Sequence, residues 1–255
     1  DLRATLTDVP LSLANALRPD LAVRGALSGT LAATGPIARP AVDFDLRSPE
    51  VSAAPLRTAG LPPADLSARG TFDRGTVTLR TAVMTIGGGT VRAEGAVGRR
   101  IDLSADITDL PLTLANAVRP ELALSGRLAG RVEATGSIAA PSATFDLSAS
   151  GLTAAPLQEA GVGPVEASAS GGFTRGRIRL DQAAVEGAGL SASASGTVPL
   201  SGRGLDLAVS ASAPLSLADR FLAERGATLD GEGRADVRVQ GSLAAPSVTG
   251  TLSAG

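Results

Sequence analysis

Apolar and polar residues alternate one by one along most of this chain. In the stretch 121–138, ELALSGRLAGRVEATGSI, one parity carries Leu122, Leu124, Gly126, Leu128, Gly130, Val132 and Ala134. The other carries Ala123, Ser125, Arg127, Ala129, Arg131 and Glu133. A period of two sends successive side chains to opposite faces of a strand, so one face is apolar and the other is wet. The same split recurs in LRATLTD, VDFDLR, DLSARGTF, GTVTLR, GTVRAEGAV, IDLSADI, VEASASGGF, LSASASGTV, GLDLAVSAS and ADVRVQG. FDRGTVTL and FTRGRIRL read as hairpins in which Gly75 and Gly176 take the positive φ of a tight turn. The pattern predicts an all-β protein.

The pattern is also periodic on a longer scale. At an offset of 101 residues, VPLSLANALRPDLAV (9–23) matches LPLTLANAVRPELAL (110–124), and SAAPLRTAG (52–60) matches TAAPLQEAG (153–161). GTFDRGTVTL (70–79) likewise matches GGFTRGRIRL (171–180), and GLDLAVSASAPLSLAD (204–219) begins a third copy. Self-similarity at fixed spacing marks a repeat architecture. The expected units are 1–100, which starts inside a repeat, 101–204, and a partial third at 205–255, with five or six strands in each full unit. Together they are expected to form one continuous segment of a longer protein.

Two interruptions recur within each unit. PLSLANALRPD predicts a helix capped by Ser12 and stopped at Arg18 by Pro19, with Leu13 and Leu17 on one face. The third copy lengthens it to PLSLADRFLAERG, with Ser216 as cap and Gly226 just past the end. APLRTAG and APLQEAG each read as a one-turn helix with Pro at its first position and Gly just past its end. The phrase G-x-[IL]-A-x-P reads as a corner. Gly ends a strand, Ile37, Ile138 or Leu243 drops into the apolar layer, and Pro40, Pro141 or Pro246 begins the next strand or marks an edge.

The apolar parity is built of Leu, Val, Ala and Gly with almost no aromatic bulk. A sandwich of this size ordinarily brings larger side chains together across its core. Two arrangements answer the small side chains. A long sheet curls into a trough whose aliphatic lining stays accessible to something apolar, or a solenoid closes on a core padded by Leu and Ala.

Composition narrows the chemistry. The 255 residues include no Cys, His, Trp or Tyr, and the 23 basic residues, all Arg, nearly balance 25 acids. Without His the commonest general base and metal ligand are missing, and without Cys there is neither a disulfide framework nor a thiolate metal site. Neither an enzyme nor a resident metal or other cofactor is expected. No basic stripe with interleaved aromatics suggests nucleic acid. Gly87–Gly89 lacks the Lys-Ser/Thr of a phosphate loop and reads as a strand turn, and Asp43 and Asp45 lack a calcium loop and read as a solvated strand face. The stretch 201–204, SGRG, is an insertion read as a loop, and no G-x-S-x-G elbow occurs. Arg99–Arg100 is too short for a polybasic membrane patch, and its repeat partner is Leu200–Ser201. No run of apolar residues is long enough to span a bilayer as a helix.

LAVRGALSGTLAATGPIARP, LALSGRLAGRVEATGSIAAP and GRADVRVQGSLAAPSVTGTL, with their PL-x-L helices and L-x-G-x-L-x-G strands, resemble the TamB family of AsmA-like proteins over essentially the whole chain. The third copy departs by placing Gly250-Thr251 where the second has Phe145-Asp146. The resemblance implies a β-groove ("taco") of curled sheet with a hydrophobic interior, and an interior segment of a diderm envelope protein. Such proteins are anchored in the inner membrane and extend through the periplasm. It further implies movement of phospholipid between inner and outer membranes and support of outer-membrane assembly. The implied partners are phospholipid acyl chains and, through other parts of the parent protein, an outer-membrane β-barrel of the TamA type.

On that reading the groove lining in the first unit is Leu21, Val23, Leu27, Leu31, Phe44, Leu46, Phe72, Val77, Leu79 and Val91. In the second it is Leu103, Ile107, Leu122, Leu124, Leu128, Val132, Phe145, Leu147, Phe173, Ile178 and Leu180, and in the third Leu205, Leu207, Val209, Val237 and Val239. The four phenylalanines are expected to narrow the lumen, and a charge at Leu124 or Leu128 to block lipid passage. The competing reading is a stalk, an adhesin-like repeat, or a chaperone-like rail that guides outer-membrane proteins by β-augmentation at a free edge.

Overall fold

The structure is a computed structural model that describes all residues except 1, 17–21, 37–38, 59, 118, 160, 219–230 and 244. Fifteen antiparallel strands are hydrogen-bonded in chain order. They are β1 (Leu2–Pro10), β2 (Ala26–Thr34), β3 (Ala41–Val51), β4 (Ala64–Asp73), β5 (Thr76–Ile86), β6 (Gly89–Val97), β7 (Arg100–Pro111) and β8 (Ser125–Ser137). There follow β9 (Ala140–Thr153), β10 (Val165–Thr174), β11 (Arg177–Gly187), β12 (Leu190–Pro199), β13 (Arg203–Pro214), β14 (Glu232–Ser242) and β15 (Pro246–Ala254). The all-β assignment from alternation therefore holds.

Turn chemistry sets the register. β4 and β5 are joined by Arg74-Gly75, both at positive φ (47° and 77°), and β10 and β11 by Arg175-Gly176 (50° and 73°). Two consecutive positive φ values define the type I′ turn, whose twist matches that of the flanking strands. Gly87-Gly88 makes the same turn between β5 and β6 (56° and 83°), so the glycine triplet is a strand connection. Of SGRG only Ser201 and Gly202 lie in a loop; Arg203 and Gly204 already belong to β13.

The chain forms two compact units, residues 1–121 with 127–141, and 122–126 with 142–255. In the first, register carries apolar rows straight across neighbouring strands. One row runs Ala4, Leu31, Phe44, Gly70, Leu79, Gly95, Leu103 and Ala134. In the second unit the corresponding row is Phe145, Gly171, Leu180, Gly196, Leu207, Val239 and Val248. Each row sets glycines between bulky residues, Gly70 and Gly95 in the first and Gly171 and Gly196 in the second. The would-be Cβ of Gly70 falls 2.7 Å from the Phe44 ring tip, and that of Gly171 lies 3.1 Å from the Phe145 ring tip. The aromatic therefore occupies the space the glycine vacates, laid against the sheet.

Irregularities recur with the 101-residue period. In β5, Leu79 pairs with Gly70 and Thr81 with Arg69, leaving Arg80 as a bulge; in β11, Asp181 is left over in the same way. A bulge adds one residue to one strand and so exchanges the faces of everything beyond it. Asp8 and Asp109, both at φ 50°, sit in matching irregularities of β1 and β7. The connections after β3 and β9 are the helices α1 (Ala54–Thr58) and α2 (Ala155–Glu159). α1 closes with Gly60 N–H on the Arg57 carbonyl and Leu61 N–H on that of Leu56, and α2 repeats this with Gly161 and Val162. Both are glycine-closed Schellman ends, as the APL-x-x-x-G phrases predicted.

The PL-x-L interruptions are short helices of the 3-10 type, at Leu11–Ala16, Leu112–Ala117 and Leu215–Ala218. So brief a helix is marginal in water. The Asn15 side chain also bonds the Val23 backbone twice, at 3.0 and 2.8 Å, and pulls the chain into β2. Leu17, Arg18, Pro19 and the lengthened third copy to Gly226 lie outside the described residues. One sequence expectation, on the corner phrase, is corrected: its aliphatics do not enter the apolar layer. Ile138 is 60% exposed at the tip of the β8–β9 hairpin and Leu243 is 55% exposed before β15, because both sit in the turn, where no strand holds them against the sheet. Ile37 lies outside the described residues.

Candidate functional site

The apolar parity of the first unit lines a cavity of about 400 Å³, within the ~300–1,000 Å³ range usual for ligand sites. Its side-chain walls are Leu27 from β2, Leu46 and Ser48 from β3, Leu66 and Ala68 from β4, Ala82 and Met84 from β5, and Val91 and Ala93 from β6. Leu11, from the 3-10 turn after β1, closes one end. These residues are brought together by register alone: Ser48, Leu66, Met84 and Val91 are consecutive cross-strand partners, as are Leu46, Ala68, Ala82 and Ala93.

Few of these side chains are buried. Among the described hydrophobic residues of this unit, only Val51, Ala64 and Ile86 are buried. All three lie at the strand ends next to α1. Leu66 is 37% and Phe72 41% exposed. The fold thus spends its core on a small plug where the helical turns gather and leaves the aliphatic face beside it open. Ser48, the one polar group in the cavity that is buried, donates its hydroxyl to the Ala26 carbonyl at 2.7 Å and presents no unmet polarity.

The opposite parity is charged and internally paired. In the first unit Arg69 meets Asp45 at 2.9 Å, Arg80 meets Asp43 at 3.3 Å and Arg131 meets Asp106 at 2.8 Å; in the second, Arg238 meets Asp206 at 2.8 Å. The two carboxylates of the DFD phrase are therefore strand-face ion-pair partners. The Arg131 guanidinium holds the Asp106 carboxyl below the usual carboxylate range, chiefly by hydrogen bonding, which with the guanidinium's charge outweighs the opposing desolvation; Arg238 does the same to Asp206.

Of the residues singled out in the sequence, Leu27, Leu31, Phe44, Leu46, Phe72, Val77, Leu79, Val91, Leu103, Ile107, Leu128 and Val132 share the apolar face of the first unit. Phe145, Leu147, Phe173, Ile178, Leu180, Leu205, Leu207, Val209, Val237 and Val239 share that of the second. Three stand elsewhere. Val23 precedes β2, Leu122 ends a 3-10 turn, and Leu124 precedes β8, because the strand begins only at Ser125. Their alternation is genuine in sequence but runs past the point where the ladder starts. Leu21 lies outside the described residues. Alternation also missed Leu66, Ala82 and Met84. Ala82 and Met84 were hidden by the Arg80 bulge, which moves the apolar face from the odd positions Val77 and Leu79 to the even ones.

Residues 78–255, well over half of the chain, match the family model described as the TamB C-terminal domain. The chain belongs to the TamB family. It is accordingly a protein of the bacterial envelope, and its antiparallel sheet is of the kind that TamB membership implies. No curated protein and no solved structure matches it. No helix among the described residues is long and apolar enough to cross a membrane.

Proposed function

We propose that this TamB-family segment lies in the periplasm and holds the acyl chains of phospholipid along its apolar face. In this role it carries lipid between inner and outer membranes and supports outer-membrane assembly alongside a β-barrel partner of the TamA type. No bond is made or broken, and no cofactor takes part. The observation that carries the reading is the open aliphatic cavity of the first unit, walled by five adjacent strands and left largely unburied. Each methylene withdrawn from water there gains about 0.8 kcal/mol. Because such contact is non-directional, a chain can slide from one row of side chains to the next without meeting a deep trap.

The test replaces Met84, in the middle of the cavity wall, by Asp. A carboxylate facing an acyl chain without a partner costs several kcal/mol, whereas its partial exposure lets the empty protein fold around water. Lipid co-purified with the chain, quantified by mass spectrometry, should fall at least tenfold in Met84→Asp and be kept in Met84→Leu. Equal lipid in Met84→Asp and wild type, or none in wild type, would sink the proposal.

A further inference from the structure

The two ends of the strands differ. At one end of the first unit lie α1, the 3-10 turns and the buried plug. At the other, the connections β2–β3, β4–β5 and β6–β7 carry Arg39, Arg74 and Arg99, and Arg100 opens β7; the acids beside them are Asp73, at the end of β4, and Asp102 on β7. Three arginines on the strands of this unit pair with aspartates of other strands: Arg69 with Asp45, Arg131 with Asp106, and Arg80 with Asp43 two strands away. Arg74 meets only its neighbour Asp73, at 3.1 Å, and Arg99 and Arg100 form no ion pair among the described residues. The second unit keeps the charge at this end although not at the same positions. Arg175 repeats Arg74, but Arg177 and Arg203 supply what Leu200 and Ser201 do not.

These turns also enclose space. A cavity of about 590 Å³ lies among them, lined by Arg74, Arg99, Arg100, Thr76, Thr135 and Asp102 together with glycine backbone. It straddles the rim of the sheet. Ile101 and Gly136 contribute from the apolar parity, and Thr76, Ala96, Asp102 and Thr135 from the polar one. Phe72, Val77, Val97 and Ile101, consecutive partners in the last apolar row, continue the aliphatic face up to that rim.

We propose that the arginine-lined cavity at the turn end of the first unit is a phosphate site, which receives the headgroup phosphate of a lipid whose tails lie on the apolar face. The inference rests on the lipid-carrying reading and adds an orientation to it: tails toward the helical plug, head toward the turns. A guanidinium presents a planar fork of donors that matches two phosphate oxygens, and arginines not already neutralised are free to do so. Two sequence-adjacent arginines are too few for a membrane patch. Folding makes the difference by bringing Arg74 beside them.

The test uses the whole chain and three soluble probes followed by calorimetry: a short-chain phosphatidylglycerol below its micelle concentration, a neutral amphiphile of equal chain length lacking phosphate, and inorganic phosphate. Wild type should bind the phospholipid about tenfold more tightly than the neutral amphiphile, the equivalent of one net charge-assisted contact, and the preference should shrink as salt is raised. Arg74→Ser/Arg99→Ser/Arg100→Ser should lose the preference and keep its affinity for the neutral amphiphile. A preference that survives the triple substitution, or no preference in wild type, overturns the phosphate site. Inorganic phosphate that binds as tightly as the phospholipid overturns the headgroup assignment and points to a free anion. Failure of the neutral amphiphile to bind wild type is a separate result, which removes the groove reading itself.

Discussion

At the scale of single residues, the repeat shows how the plug is packed. Ala64 and Ile86 stand one residue beyond the paired Asp65 and Thr85 at the ends of β4 and β5, and both are buried; their counterparts one period later, beyond the paired Glu166 and Glu186, are Val165, also buried, and Gly187. A small–large pair in one unit has become a medium–none pair in the next, and the would-be Cβ of Gly187 lies 3.2 Å from the Val165 side chain. Ile86→Ala should therefore cost about 2–4 kcal/mol, with Ala64→Val in the same chain restoring part of it. Urea unfolding of both singles and the double measures this, and strict additivity would contradict direct packing. The Thr81 hydroxyl, beside the Arg80 bulge, is buried without a partner. Thr81→Val keeps the shape and removes that unmet group, so it should stabilise by about 1 kcal/mol, read as a rise in urea midpoint at unchanged slope.

At the scale of elements, alternation made the strands legible because each has one wet face, and the paired Gly and Arg-Gly turns made the hairpins legible because little else tolerates two positive φ values. Three things escaped. The strand start at Ser125 follows from a 3-10 turn that continues the apolar alternation through Leu122 and Leu124, so parity alone placed both leucines in the groove. The bulge at Arg80 changes which parity is apolar, and one polar residue among several leaves no separate mark in the sequence. The corner phrase fixed where the chain turns but not that Ile138 and Leu243 end up at exposed tips, because exposure there depends on what lies across the turn. The bulge carries its own prediction. Deleting Arg80 would put Thr76, Thr78 and their neighbours on the apolar face or break the pairing with β4 and β6, whereas deleting Gly202 merely tightens a loop. The first deletion should lower the urea midpoint markedly and abolish lipid co-purification, and the second should do neither.

The ion pairs between strands give an element-scale pH dependence. Asp106 and Asp206 have folded pKa values below the ordinary aspartate value of about 3.9, so the stability they add is present above that value and is lost as pH falls through the lowered one. Both carboxylates are exposed, so the effect is modest. Acid unfolding of Asp106→Asn/Asp206→Asn should show a shallower loss of stability below pH ~4 than wild type. Identical slopes would mean that Arg131 and Arg238 do not hold these carboxylates in solution.

At the scale of the whole molecule, the repeat explains why the sequence contains motifs but no signature of chemistry. Each 101-residue period delivers six strands, and within each unit the apolar rows continue from strand to strand by register. What such an architecture supplies is length of lining, since one apolar row follows another along the strands of each unit. Binding should then be extensive. A chain with residues Arg100–Leu200, one full period, duplicated in register should carry more co-purified phospholipid in proportion to the six strands added, measured as moles of lipid phosphorus per mole of protein. If the ratio stays at its wild-type value although the longer chain folds, the lipid occupies one discrete pocket, and the lining of the other strands serves only to build the sheet.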